Sequence, residues 1–117
     1  MTVKRIVTNI ATPNIAEVRA FYADLFDLKL AMDHGWITTL AAGTKAPVQL
    51  SIASEGGSGT PVPALTIEVE DVDVVHKRAC ELGHDISYPL TDEPWGMRRF
   101  YLRDPAGTLI NVAAHIA

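Results

Sequence analysis

The chain has 117 residues, 48% apolar and 21% charged, which suits one small folded domain and excludes a disordered or low-complexity chain. Ten Lys and Arg against fourteen Asp and Glu give a net charge of −4, so the molecule repels a phosphate backbone and nucleic acid is not an expected partner. The single cysteine, Cys80, excludes an intrachain disulfide scaffold.

Residues 5–11 alternate, are rich in β-branched side chains and stop at Thr12-Pro13, which reads as a first strand. Asn14 offers an N-cap oxygen. Ile15, Val18, Phe21/Tyr22, Leu25 and Leu28 then recur at helical spacing and predict an amphipathic helix. Three strands follow, at 29–32, 36–41 and 48–53, divided by turns at Asp33-His34-Gly35 and Ala42-Gly43-Thr44-Lys45. Gly56, Gly57 and Gly59 make the next stretch read as a flexible connector; without a following Lys-Ser/Thr it is no phosphate loop.

The second half repeats this order. Residues 64–69 read as a strand, Asp71 or Asp73 caps a helix, and Val72, Val75, Ala79 and Leu82 form its apolar stripe, ended by Gly83. Cys80 falls on the apolar side of that helix as an inert buried thiol. Strands follow at 86–90, 97–103 and 108–114, the last two joined by Asp104-Pro105-Ala106-Gly107, whose residue types suit a type I turn. The helix starts, Asn14 and Asp71, are 57 positions apart, near half the chain. The arrangement is an α+β domain of two βαβββ modules, 1–54 and 63–117, joined by a linker over 55–62.

The segment from Trp95-Gly96-Met97-Arg98-Arg99-Phe100-Tyr101 to Asp104-Pro105-Ala106-Gly107-Thr108-Leu109-Ile110-Asn111 resembles the glyoxalase/bleomycin-resistance/dioxygenase (vicinal oxygen chelate) superfamily. So do Asn14-Ile15 with Phe21-Tyr22 in the first half and Thr66-Ile67-Glu68-Val69-Glu70-Asp71 in the second. The resemblance spans the chain and implies curled mixed sheets enclosing a cavity, helices outside, commonly in a homodimer. It also implies metal ligands at four inward strand positions, which here carry Val7, Gln49 (or Ser51), Ala64 and Asn111. Valine and alanine have no donor atoms and neutral amides bind divalent ions poorly, so neither a metal nor another cofactor is expected.

Strand parity gives the expected pocket. Ile6 and Ile10 go to the helix side, leaving Asn9 inward; Val48, Leu50 and Ile52 likewise leave Gln49 inward, and Leu65, Ile67 and Val69 leave Thr66 and Glu68 inward. A four-residue turn at 104–107 sets Arg103 opposite Thr108 and Phe100 opposite Asn111, so Arg98, Phe100 and Asn111 point inward and Tyr101 faces the helix. Trp36 and Trp95 lie near the mouth, or else in an interface or the core. Arg98 either clamps a ligand or pairs with Glu68. His34, His76, His84 and His115 lack zinc-motif spacing and read as surface or terminal residues.

The expected function is a metal-free small-molecule binder of the bleomycin-resistance type, taking a planar or cationic ligand at a homodimer. The alternative is a divergent lyase, isomerase or dioxygenase, metal-dependent or using Glu68 as a base; a partner-binding module with a vestigial pocket is a third reading. No run approaches the roughly 18 apolar residues of a membrane span. Lys4-Arg5 is followed by polar residues rather than a signal-peptide core, so a cytoplasmic location is expected.

Overall fold

A computed structural model describes residues 2–42 and 49–116. The predicted turn from Gly43 to Lys45 and the strand position Val48 lie outside the described residues. The elements are β1 (Val3–Ala11), α1 (Ile15–Phe26), β2 (Lys29–Asp33), β3 (Ile37–Ala41), β4 (Gln49–Ala53), β5 (Leu65–Val69), α2 (Val72–Glu81), β6 (Ile86–Asp92), β7 (Met97–Arg103) and β8 (Leu109–His115). The α+β class and the doubled order of strand, helix and three strands are those the sequence predicts. The chain divides into two compact units: the first is Val7–Val62, the second Met1–Ile6 with Pro63–Ala117.

In the first unit the strand order is β2-β3-β4-β1. The β1 and β4 strands run parallel, with Asn9 opposite Ser51 and Ile10 opposite Ile52. The β3 strand is antiparallel to both β2 and β4. Side chains alternate across a strand, so Leu40, Leu50 and Ile52 share one face while Asn9, Thr39, Gln49 and Ser51 share the other. The α1 helix turns Ile15, Val18 and Tyr22 partly inward but leaves Phe21, Leu25 and Phe26 exposed, so its apolar stripe is wider than its buried one. Asn14 makes no side-chain cap bond; its backbone N–H donates to Thr12 Oγ1 at 3.1 Å.

Residues 56–60, expected as a flexible connector, close on themselves. The Gly56 N–H donates to the Thr60 carbonyl at 2.8 Å and the Thr60 N–H to the Gly57 carbonyl at 3.0 Å. Positive φ at Gly57, Ser58 and Gly59 makes that closure possible, so glycine here serves a defined turn.

In the second unit the order is β5-β8-β7-β6, with β5 parallel to β8 and the other pairs antiparallel. Asp71 Oδ1 caps α2, accepting from the Asp73 and Val74 N–H groups at 3.1 and 3.3 Å. The helix packs Val72 and Ala79 onto Val69, Phe100, Val112 and Ala114. Cys80 is exposed rather than buried, because the inward stripe runs through its neighbour Ala79; Leu82, also expected inward, is exposed beyond the last turn.

The hairpin between β7 and β8 departs from the predicted register. Arg103 pairs with Leu109, Tyr101 with Asn111 and Phe100 with Val112. The Gly107 N–H donates to the Asp104 carbonyl, the Asp104 N–H donates to the Thr108 carbonyl, and Gly107 sits at φ +84°. Gly107 is thus a left-handed bulge residue following the type I turn, one residue more than a four-residue loop allows. One extra residue leaves β8 as predicted and turns every β7 side chain to the opposite face.

Candidate functional site

The second unit's sheet has two chemically distinct faces. Pairing of Thr66 with Asn111, Glu68 with Ala113, Asn111 with Tyr101 and Ala113 with Arg99 puts these six residues on one face. Ile67, Phe100, Leu102, Ile110, Val112 and Ala114 take the face that α2 covers. Thr66, Glu68 and Asn111 therefore lie together, as parity predicts. Phe100 and Arg98 do not: Phe100 is fully buried under α2, its ring 5.0 Å from that of His76. Arg98, on the same side, donates from Nε to Asp73 at 2.9 Å and from NH1 to Asp92 at 2.8 Å. Its pairing with Glu68 is thus corrected, as is the inward placement of both residues, and the Gly107 bulge is the physical reason.

Glu68 is 6% exposed, and its Oε1 accepts from Arg5 Nε at 2.5 Å. Its Oε2 lies 3.6 Å from Nε2 of the exposed His115, too far for a hydrogen bond. Asn111, 7% exposed, donates from Nδ2 to Thr66 Oγ1 at 3.3 Å, while its Oδ1 is buried with no hydrogen-bond partner. Arg5 and His115 were not expected at this face. Arg5 lies 63 positions from Glu68 in the chain, and only the placement of the start of β1 brings them together.

Further along the same face, Arg99 and Glu93 form a buried ion pair, each side chain 3% exposed, with Nε donating to Oε2 at 2.6 Å. The guanidinium carbon sits 5.2 Å from the Tyr88 ring centre and 4.9 Å from those of Trp95 and Tyr101. The Tyr88 hydroxyl donates to the same Glu93 oxygen and Arg99 NH1 donates to the Tyr101 hydroxyl. Trp95 is thereby packed on a protein cation. The sequence signal for this cluster is the alternation Arg99-x-Tyr101, visible only once β7 faces the right way.

The remaining expected residues belong to the first unit. Asn9 and Gln49 share a face with Thr39 and Ser51, whose hydroxyls lie 2.7 Å apart. The Trp36 ring lies parallel to that of His34 at 6.4 Å, and its carbonyl accepts the Ser54 N–H at 3.0 Å.

A groove of about 440 Å³ in the second unit runs past the start of α2, lined by Glu70, Asp71, Asp73, Asp92, Arg98 and His115 among others. Hydrogen bonds first to Asp92 and then to Asp73 raise the Arg98 guanidinium further above its already high ordinary value, so it remains a cation bridging two carboxylates.

The donor set does not fit a divalent metal. Val7 and Ala64 offer no donor atom, and Gln49 and Asn111 only uncharged amides. Among the described residues no group of three His, Cys, Asp or Glu side chains is placed to hold an ion.

Among solved structures, similar folds include one described as an NAD-dependent benzaldehyde dehydrogenase from Legionella pneumophila, 18% identical with a TM-score of 0.77, covering 95% of this chain and 99% of that one. A glyoxalase/bleomycin resistance protein/dioxygenase superfamily member from Vibrio splendidus 12B01 is 18% identical with a TM-score of 0.73, covering 98% and 100%. Methylmalonyl-CoA epimerase from Mycobacterium tuberculosis is 18% identical with a TM-score of 0.61, covering 98% and 88%. At these identities the likeness is one of fold. A search of curated proteins finds no significant match. The family profile for the glyoxalase/bleomycin resistance protein/dioxygenase superfamily matches residues 3–112, nearly the whole chain, and with the duplicated order of elements it makes this chain a member of that superfamily.

Proposed function

We propose that the protein binds a small organic molecule, planar or cationic, on the polar face of the second unit, and that it does so without a metal. The observation that carries this reading is the Asn111 amide: a buried carbonyl oxygen with no hydrogen-bond partner, on the same face as the buried Glu68 carboxylate. Buried polar atoms are almost always paired, so an orphaned acceptor at this depth supports a bound partner that supplies the donor. The donor-free positions Val7 and Ala64 argue against the metal-dependent alternatives.

Assembly as a homodimer belongs to the same proposal. Phe21, Leu25, Phe26 and Leu30 are each more than half exposed in the single chain, a large apolar surface for a monomer. Sedimentation at micromolar concentration then gives about twice the 12.7 kDa chain mass, and a clean monomer removes the dimer from the account.

Chelation tests the metal-free part. An ion bound only to the folded state raises the melting temperature by mass action, so its removal lowers it. Protein purified without chelator keeps its melting temperature when EDTA is added; a drop of several degrees, reversed by one divalent metal, would return the reading to a metal-dependent enzyme.

A further inference from the structure

We infer that, of the planar and cationic classes in the binding reading on which this rests, the ligand is of the planar, uncharged kind: a neutral N–H donor such as a primary amide, a lactam or an amino-heteroaromatic. Thr66 is opposite Asn111 and Glu68 opposite Ala113, so Glu68 and Asn111 sit diagonally on adjacent strands. Their Cα atoms are about 8 Å apart from ordinary strand spacing and rise. Glu68 Oε2 and Asn111 Oδ1 are two acceptors on one face: the first has only the His115 ring at 3.6 Å, the second no hydrogen-bond partner. Among the described residues of this face the two groups without a hydrogen-bond partner are acceptors, so the ligand brings donors.

Charge decides which donors. The Glu68 carboxylate is already balanced by Arg5 at 2.5 Å, and the buried Arg99 by Glu93 at 2.6 Å. A second cation would share one carboxylate with the Arg5 guanidinium and meet it as a like charge, besides losing its own hydration. An anion would place acceptor oxygens against acceptor oxygens. An uncharged N–H₂ group leaves the charge balance intact and brings two donors.

Benzamide, benzamidine and benzoate differ little in shape and carry charges of zero, plus one and minus one at neutral pH, so they serve as probes. In a titration followed by backbone amide shifts, benzamide moves the Thr66, Glu68, Asn111 and Ala113 signals saturably and binds at least tenfold more tightly than the other two. Asn111→Leu, which keeps the size and removes the acceptor, weakens benzamide at least fivefold. Asn111→Asp keeps an acceptor and adds a charge, so it reverses the preference toward benzamidine. Equal or tighter binding of benzamidine to the unaltered protein at these signals would overturn the charge argument while leaving the binding face standing. Benzamide leaving the four signals unmoved would overturn the donor assignment itself, and binding of a chemically different molecule there would show that the broader reading survives. A benzamide affinity unaltered by Asn111→Leu would remove Asn111 from the site.

Discussion

Replacing Glu93 by leucine takes away the carboxylate that accepts from both Arg99 Nε and the Tyr88 hydroxyl. Both side chains of the ion pair are 3% exposed, so water does not take the place of the lost oxygen. Removing one partner of a buried pair costs about 3–5 kcal/mol, because the remaining charge keeps its desolvation penalty. The lost tyrosine hydrogen bond adds about 1 kcal/mol. The Tyr88, Trp95 and Tyr101 rings surround the guanidinium with and without the carboxylate, so those contacts cancel in the difference. The total is a loss of about 4–6 kcal/mol, or roughly 20 °C in melting temperature for a chain of this size. Glu93→Gln keeps an oxygen acceptor but also leaves Arg99 without its counter-charge, so it costs about 3 kcal/mol, less than Glu93→Leu only by the hydrogen bonding it retains. Urea unfolding of both variants gives the comparison directly. A Glu93→Gln cost below about 1 kcal/mol would refute the view that the carboxylate charge holds this cluster together.

Phe100→Ala should destabilise the fold by about 3–5 kcal/mol in urea unfolding, since the ring is fully buried beneath α2; a surface-like loss under 1 kcal/mol would contradict that placement. Asp71→Ala removes the cap bonds to Asp73 and Val74 and should cost about 1 kcal/mol, read as a lower urea midpoint with unchanged slope. At Gly107 nothing lies within 4 Å of an added Cβ, so Gly107→Ala should cost about 1 kcal/mol from its φ of +84° alone, and an unchanged midpoint would remove the bulge from the hairpin.

Much of the fold was legible because its signals are local. The doubled order of elements follows from apolar periodicity and turn residues, and the polar face of β5 from simple alternation at Thr66 and Glu68. The four-residue turn count puts Asn111 inward, and the structure has it on that polar face, since the register shift moves β7 and leaves the alternation of β8 with Ile110 and Val112 unchanged. It failed for β7 because Asp104-Pro105-Ala106-Gly107 fits a four-residue turn as well as it fits a turn followed by a bulge. Residue types do not distinguish the two, and the difference of one residue exchanges Phe100 for Tyr101 and Arg98 for Arg99. The Arg99 cluster was hidden by that exchange. The Arg5 partnership with Glu68 was hidden for another reason: it joins residues far apart in the chain, and no periodicity within either segment encodes it. In α1, helical spacing identifies the apolar residues but not which of them the first unit covers, and Phe21 and Leu25 are exposed.

The central claim is that the face carrying Thr66, Glu68 and Asn111 binds a small molecule without a metal. Chelator-treated protein titrated with a library of small amides, amines and heteroaromatic compounds, followed through its backbone amide shifts, tests it most directly. Binding at this face gives saturable shifts concentrated at Thr66, Glu68, Asn111 and Ala113 for some members. Shifts that arise only after a divalent metal is restored, or that gather elsewhere and spare these four, would contradict it.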